Sequence, residues 1–204
     1  MKSKNYFFAF VLLFLLSSCV ETVVATAVIG SSVVLTDGAL FDLSQDSRIE
    51  TATRKAFKNS QYAEELKNID IDVYNGTIML TGYVTKNSYK NFAVQEAKQV
   101  KPNIKVFDEI MIFSKDYKTS SINDGLLSSQ ISLKLKTASK VDSSDYKYNV
   151  VDSIVFVMGK SDSVEEFNNA IKVFRTTKGV KKVVSYIVVV DNKKSSSSSN
   201  NKKW

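Results

Sequence analysis

Two stretches of the chain carry the same order of hydrophobic and polar positions. A shift of 77 residues places DVYNGTIMLTG, which ends at Gly82, on NVVDSIVFVMG, which ends at Gly159. Further apolar positions align under the same shift: Ala93 with Ala170, Val106 with Val183, Ile110 with Ile187 and Ile112 with Val189. A repeat of this kind indicates two copies of one structural unit of about 65 residues.

The first copy contains two helical and three strand patterns. The first helix is predicted from residues that recur at helical spacing: Ile49, Ala52, Thr53, Ala56 and Phe57. Asp46 or Ser47 is in position to cap this helix. IDIDVYNGTIMLTGYV then alternates as two strands, joined at Asn75-Gly76, which favours a type I′ hairpin. NSYKNFAVQEAKQV predicts a helix that stops before Pro102, and IKVFDEIMIF predicts a closing strand.

The second copy repeats the same order. Its predicted elements are a helix from about Leu126 to Lys136, a hairpin turning at Asp152-Ser153, a helix from Val164 to Thr177 and a strand from Val180 to Val190. Ser163 and Glu166 have the spacing of a capping box, and Gly179 follows the helix where a C′ glycine is expected. We therefore predict an α+β fold of two tandem αββαβ domains, each a three-stranded mixed sheet covered on one face by two helices.

The N-terminal segment has the parts of a signal peptide. Lys2 and Lys4 precede the apolar run YFFAFVLLFLL, which is too short for the roughly 20 residues that span a bilayer. The next residues, LSSC, resemble the lipobox of bacterial lipoproteins, in which the cysteine is diacylated and exposed by cleavage. This resemblance implies lipid attachment at Cys19, and Val20 after it implies outer-membrane sorting. The alternative is an uncleaved anchor in which Cys19 is an apolar filler.

These patterns divide the chain into six predicted segments. They are a signal peptide (1–18), a lipidated N-terminal tether (19–45), a first domain (46–114), a linker (115–122), a second domain (123–190) and a disordered Ser/Lys tail (191–204).

Composition narrows the function classes. The chain has no histidine and one cysteine, so the commonest general base and the usual zinc ligands are nearly absent. Phosphate-loop, dinucleotide-binding and nucleophile-elbow motifs are missing from the sequence. The formal charge is +7, but several lysines lie in the signal segment and the tail. We therefore expect no enzymatic activity, no cofactor, no metal, no small-molecule substrate and no nucleic-acid partner.

The repeated unit resembles the BON domain. The resemblance rests on the αββαβ order, the Asn-Gly turn, the return strands TIMLTG and IVFVMG, a helix with a central alanine, and a closing strand with two spaced valines. Two such domains behind a lipobox are similar to dual-BON outer-membrane lipoproteins. The resemblance implies a lipid-anchored protein that faces the periplasm, binds anionic phospholipid and supports outer-membrane integrity. It also suggests outer-membrane assembly proteins as partners.

The same resemblance points to the first helix of the second domain as the membrane-facing surface. The implied contact residues are Leu126, at a position the family fills with tryptophan, followed by Leu127, Gln130, Ile131 and Lys134. Helical spacing adds a condition. If Leu127, Ile131 and Leu135 form the stripe that faces the core, Leu126 and Leu133 lie outside that stripe.

Two questions stay open at this point. Leu126 either contacts lipid or packs on its own or the neighbouring domain. The alternative function is a protein-interaction scaffold for envelope assembly machinery, in which the acyl anchor is the sole membrane contact.

Overall fold

The computed structural model describes residues 38–117 and 120–190. The first repeat comprises α1 (Gly38–Asn59), α2 (Ala63–Leu66), β1 (Ile69–Tyr74), β2 (Thr77–Val84), α3 (Asn87–Gln99), β3 (Lys105–Asp108) and β4 (Met111–Ile112). The second comprises α4 (Ser121–Thr137), a 3-10 turn (Ser143–Asp145), β5 (Tyr146–Val151), β6 (Ile154–Ser161), α5 (Val164–Thr176) and β7 (Lys182–Val189). The predicted signal peptide, the predicted lipidation site Cys19 and the predicted tail lie outside the described residues.

Both repeats form the predicted mixed sheet. In the first, β1 is antiparallel to β2, and β2 is parallel to β3 and β4. In the second, β5 is antiparallel to β6, and β6 is parallel to β7. The predicted α+β fold class is confirmed, with one added short helix, α2.

The closing strand of the first repeat differs from the prediction. The expected continuous strand over 104–113 is divided into β3 and β4. Between them, the Asp108 carboxylate accepts a hydrogen bond from the Ile110 N–H at 3.2 Å. This local turn replaces ladder pairing, as Asp side chains commonly do.

The start of the first helix also differs. Because α1 begins at Gly38, Asp46 and Ser47 lie inside the helix and neither is its N-cap. Asp46 instead accepts the N–H groups of Asn75 (2.6 Å) and Gly76 (2.7 Å). It therefore ties α1 to the β1–β2 hairpin, a long-range role that its helical position does not reveal.

The ends of α5 are close to those predicted. Ser163 is the N-cap and accepts the Glu166 N–H at 3.1 Å, while the Glu166 carboxylate accepts the Asp162 N–H at 2.8 Å. The reciprocal bond of the capping box therefore comes from the N–H of Asp162, the residue before the N-cap. Gly179 has a positive φ of 103°, but Thr177 is the C-cap, so Gly179 occupies C″ and not C′.

One glycine in each return strand allows a close backbone crossing. Gly82 and Gly159 both have positive φ and both are buried. A Cβ atom at Gly82 would overlap the carbonyl of Asn68, and one at Gly159 would overlap that of Asp145. The final glycine of the repeated return-strand pattern is therefore a steric requirement.

Each domain buries a core between its sheet and its helices. In α1 the buried stripe is Ile49, Thr53 and Phe57, and in α4 it is Leu127, Ile131 and Leu135. Corresponding helix positions therefore differ by 78, one more than in the strands. The two helix faces still match, because the difference arises outside both elements: the first domain has one more residue than the second between this helix and the hairpin.

The helix-free faces of the two sheets pack against each other. Met79 of the first domain and Phe156 and Met158 of the second are buried there in one apolar cluster. The rings of Phe107 and Tyr186 stack with centroids 3.7 Å apart. Both faces of each central strand are therefore covered, which explains the near-continuous apolar runs of β2 and β6.

Polar groups at the margin of this interface fix its register. Asn149 donates to Asp70 at 2.8 Å and to Thr81 at 2.7 Å, and the Tyr186 hydroxyl donates to the Glu109 carboxylate. Such directional bonds distinguish one placement of two apolar faces from others.

One carboxylate at this interface is energetically unfavourable. Burial raises the pKa of Asp72 to about 6, and repulsion from Asp70 and Glu50 adds to the effect. Lys147 and Arg54 offset part of it. Asp72 therefore carries its charge at a cost above that pH.

Candidate membrane-binding surface

The helix α4 lies over β5 and presents one apolar face to the core of the second domain. Leu127 is 3% exposed and Ile131 is 0% exposed, and Leu135 completes the stripe. Leu127 and Ile131 were among the contact residues implied by family resemblance. Because their side chains are enclosed by β5, β6 and α5, they are core residues and are removed from the candidate surface.

A second apolar face points away from the core. Ile122 is 82% exposed, Leu126 58% and Leu133 66%. Their separations of four and seven residues place them on one line of a helix, opposite the buried stripe. We call this set, Ile122, Leu126 and Leu133, the apolar ridge. Leu126 therefore lies at the surface of its domain and is not a core residue.

The flanks of the apolar ridge are polar or basic. Gln130, Lys134 and Lys136 are exposed, and the last two lie in the final turn of α4. The helix contains one acidic residue, Asp124, which is buried and bonded to backbone groups. The exposed side of α4 therefore combines apolar side chains with positive charge and carries no exposed carboxylate.

The position of α4 is fixed by hydrogen bonds to the sheet. Asp124 accepts the N–H groups of Asp152 and Ser153, both at 2.8 Å. Further along, the Tyr148 hydroxyl donates to the Ser128 carbonyl at 3.0 Å. The ridge is therefore held on a rigid element before any partner binds, which lowers the ordering cost of binding.

The matching face of α1 is polar. Under the offset of 78, Leu126 corresponds to Arg48 and Leu133 to Lys55, and both of these first-domain residues are exposed. The ridge is therefore a property of the second copy only. It is not required by the fold, since the first copy folds with charged residues there.

One ridge residue was missed by sequence reasoning. Ile122 precedes the predicted start of the helix at Leu126, and α4 begins at Ser121. The separation of four residues between Ile122 and Leu126 is the signal that could have identified it.

Comparison with known proteins identifies the repeated unit. The BON domain model matches residues 45–110 and 123–191. The chain belongs to the BON domain family. It is a dual-BON protein, as the repeat predicted.

Two curated relatives match most of their own length. An uncharacterized protein in the gshII 5′ region of Anaplasma centrale is 29% identical over 121 residues, covering 59% of this chain and 80% of the relative. Outer membrane lipoprotein DolP of Haemophilus influenzae is 23% identical over 169 residues, covering 83% of this chain and 87% of DolP. Together with the two BON domains, the second match supports a DolP-like organisation.

A solved structure also aligns with the chain. It is CdsD, a structural protein of the type III secretion system of Chlamydia trachomatis, with 9% identity and a TM-score of 0.30, covering 78% of this chain and 70% of that one.

Two further observations concern the described ranges 38–117 and 120–190. None of their helices has the length and apolar content that a bilayer crossing requires. They also contain no group of three or more metal-ligating side chains.

Proposed function

We propose that this protein is a non-enzymatic, lipid-anchored envelope protein whose second BON domain binds anionic phospholipid through the apolar ridge. The observation that carries the proposal is the ridge itself: three large apolar side chains exposed in line on α4. Lys134 and Lys136 lie at the end of the same helix. Apolar residues beside lysines are suited to shallow insertion into an anionic bilayer surface.

The expected energies call for a second attachment. Complete burial of a Leu or Ile side chain contributes roughly 1.5–3 kcal/mol, and shallow insertion recovers only part of that. Each lysine near anionic lipid adds about 1 kcal/mol. These gains must offset the entropy lost on association, so the ridge alone is expected to bind weakly.

Acylation at Cys19 is the second attachment in this proposal. Two or more acyl chains hold a protein stably, and the anchored domain then meets the bilayer at high effective concentration. By analogy with the outer-membrane lipoprotein DolP, we place the protein at the outer membrane, facing the periplasm, where it supports envelope integrity. Mass spectrometry of the mature N-terminus tests the anchor, and an unmodified chain that begins at Met1 would refute it.

Vesicle flotation tests the ridge. The chain without residues 1–19 should float with anionic vesicles and far less with zwitterionic ones. Leu126→Glu should lower binding at least tenfold, because a charge replaces the central ridge side chain. Circular dichroism should show the same fold, since Leu126 is exposed.

Val164→Glu is the matched control. Val164 is 56% exposed, which is close to the 58% of Leu126. It lies in the same domain, at the first position of α5. We expect it to float like the unmodified chain. Equal loss in both variants, or equally weak binding of the parent to both vesicle types, would refute the phospholipid proposal. Unfolding of Leu126→Glu would show that Leu126 contributes to the core.

A further inference from the structure

The groove between α5 and β7 is open, whereas an ion pair spans the corresponding position of the first domain. In the first domain, Lys90 of α3 pairs with Asp108 of β3 at 3.2 Å and donates to the Ile110 carbonyl at 2.8 Å. Under the 77-residue shift, the residues at these positions in the second domain are Phe167 and Ser185. These side chains cannot form an ion pair, and a groove of about 580 Å³ remains.

The walls of this groove are apolar and its rim is basic. Phe167, Ile171 and Val183 supply apolar surface, and Arg175 and Lys182 supply positive charge. Lys181 also lies on the rim and pairs with Asp152 at 3.6 Å. Within residues 38–117 and 120–190, no carboxylate forms an ion pair with Arg175 or Lys182. An occupant with both apolar and acidic groups is therefore complementary to the groove.

The strand beside the groove is a sheet edge, since within residues 38–117 and 120–190 no strand pairs with its outer side. β7 is the last strand in the order β5-β6-β7, and it runs for eight residues without a break. Its end is apolar and exposed, with Val188 at 62% and Val189 at 36%. Sheet edges are usually protected by bulges, charges or short strands. The first domain has that protection, since its closing strand is divided into β3 and β4.

We propose that this edge and groove bind an extended peptide segment of a partner protein, which adds as a fourth strand beside β7. Backbone hydrogen bonds to β7 would give affinity, and alternate side chains would give specificity. Apolar side chains would contact Phe167, Ile171 and Val183, and acidic ones would pair with Arg175 and Lys182.

The observations favour this occupant over two others. A second copy of β7 brings no complementary charge, because the strand KVVSYIVV contains no acidic residue. An acyl chain satisfies neither the exposed backbone edge nor the polar rim. The proposal does not depend on membrane binding by the apolar ridge, which lies on a different helix.

Fluorescence anisotropy with the full chain reconstituted in zwitterionic nanodiscs tests the proposal. The probe is a labelled, end-capped peptide of about ten residues in which valine and glutamate alternate. We expect saturable binding. Replacing glutamate by lysine in the probe, or methylating its backbone nitrogens, should each abolish binding. Failure of the probe to bind, or equal binding of either control peptide, would overturn the proposal.

Two variants and one control locate the site. Arg175→Glu with Lys182→Glu should weaken binding at least tenfold, and both residues are exposed, so the fold should persist. Phe167→Lys with Ser185→Asp should recreate the ion pair of the first domain, which would close the groove and weaken binding of the probe. Lys172→Glu changes a cation of α5 that does not line the groove and should bind normally.

Two results would assign the surface differently. Equal loss in Lys172→Glu would show a nonspecific charge effect and refute the site. Displacement of the probe by soluble dihexanoyl phosphatidylglycerol in Leu126→Glu would assign the groove to lipid and overturn the peptide proposal. Because Leu126→Glu removes the ridge alone, failure of the ridge and failure of the groove are distinguishable.

Discussion

The two BON domains share a backbone plan but differ in the surfaces that they expose. On the first helix, the positions of Leu126 and Leu133 in the second domain are occupied by Arg48 and Lys55 in the first. On the closing strand, an ion pair and a break protect the first domain, whereas β7 is continuous beside an open groove. Shared features therefore maintain the fold, and among the described residues the apolar ridge and the open groove both lie in the second copy. This is the distribution expected when function resides in sites carried by a common fold.

The largest predicted effect concerns a feature that both domains share. Gly82→Ala and Gly159→Ala should each destabilise the protein by roughly 3–5 kcal/mol, because the new Cβ overlaps a backbone carbonyl and φ is positive. Urea unfolding monitored by circular dichroism measures the loss. Gly125→Ala is the control, since its Cβ would meet nothing and alanine favours a helix. A loss below about 0.5 kcal/mol at Gly82 or Gly159 would contradict the steric explanation.

The second prediction compares a contact that both domains make but bury to different extents. Asp124 and Asp46 each accept two hairpin N–H groups, but Asp124 is buried and Asp46 is half-buried. Asp124→Ala leaves two N–H groups without their acceptor and should cost about 2–3 kcal/mol, against about 1 kcal/mol for Asp46→Ala. Equal losses in chemical unfolding would show that burial does not distinguish the two contacts.

The smallest predicted effect comes from a substitution that removes a sequence difference between the two domains at their interface. Asp72 corresponds to Asn149 in the second domain, so Asp72→Asn places the same residue type in both. The pKa of Asp72 in the folded state is about 6, whereas the ordinary pKa of an aspartate is 3.8. The folded state therefore binds more protons between these values, and stability falls as pH rises from about 4 to 6.

Asp72→Asn should flatten this dependence and raise stability at pH 8 by about 1–2 kcal/mol, after allowance for solvent screening. Unfolding free energies at pH 4, 6 and 8 measure the effect. Asp116→Asn, at an exposed position that does not act on the pKa of Asp72, tests whether general charge removal suffices. An unchanged pH profile in Asp72→Asn would contradict a raised pKa.

Much of each domain follows from local pattern. The 77-residue repeat, the two hairpins and the buried stripe Leu127, Ile131 and Leu135 were predictable, because strand and helix periods are local properties of the chain. Spacing also separated Leu126 from that stripe. The family resemblance, in contrast, placed Leu127 and Ile131 at the surface. It assigned the membrane contact to a stretch of α4, but Leu127 follows Leu126 directly and therefore lies on another face of the helix.

The remaining features depend on contacts between distant residues. Asp46 was predicted as a cap, but the β1–β2 hairpin is brought to it by the fold and takes its carboxylate. The turn at Asp108 interrupts a run that local pattern extends as one strand. The groove beside Phe167 is visible only when α5 and β7 are placed together and compared with Lys90 and Asp108.

The repeat, the αββαβ order and the inward faces follow from local sequence, since each depends on the spacing of neighbouring residues. Which apolar residues stay exposed depends instead on how the folded elements pack. Met79, Phe156 and Met158 are covered because two sheets meet, whereas Ile122, Leu126 and Leu133 are exposed because the described residues place nothing on that face of α4. Hydrophobicity has no direction, so the same side chains form a core or a binding surface according to what packs on them.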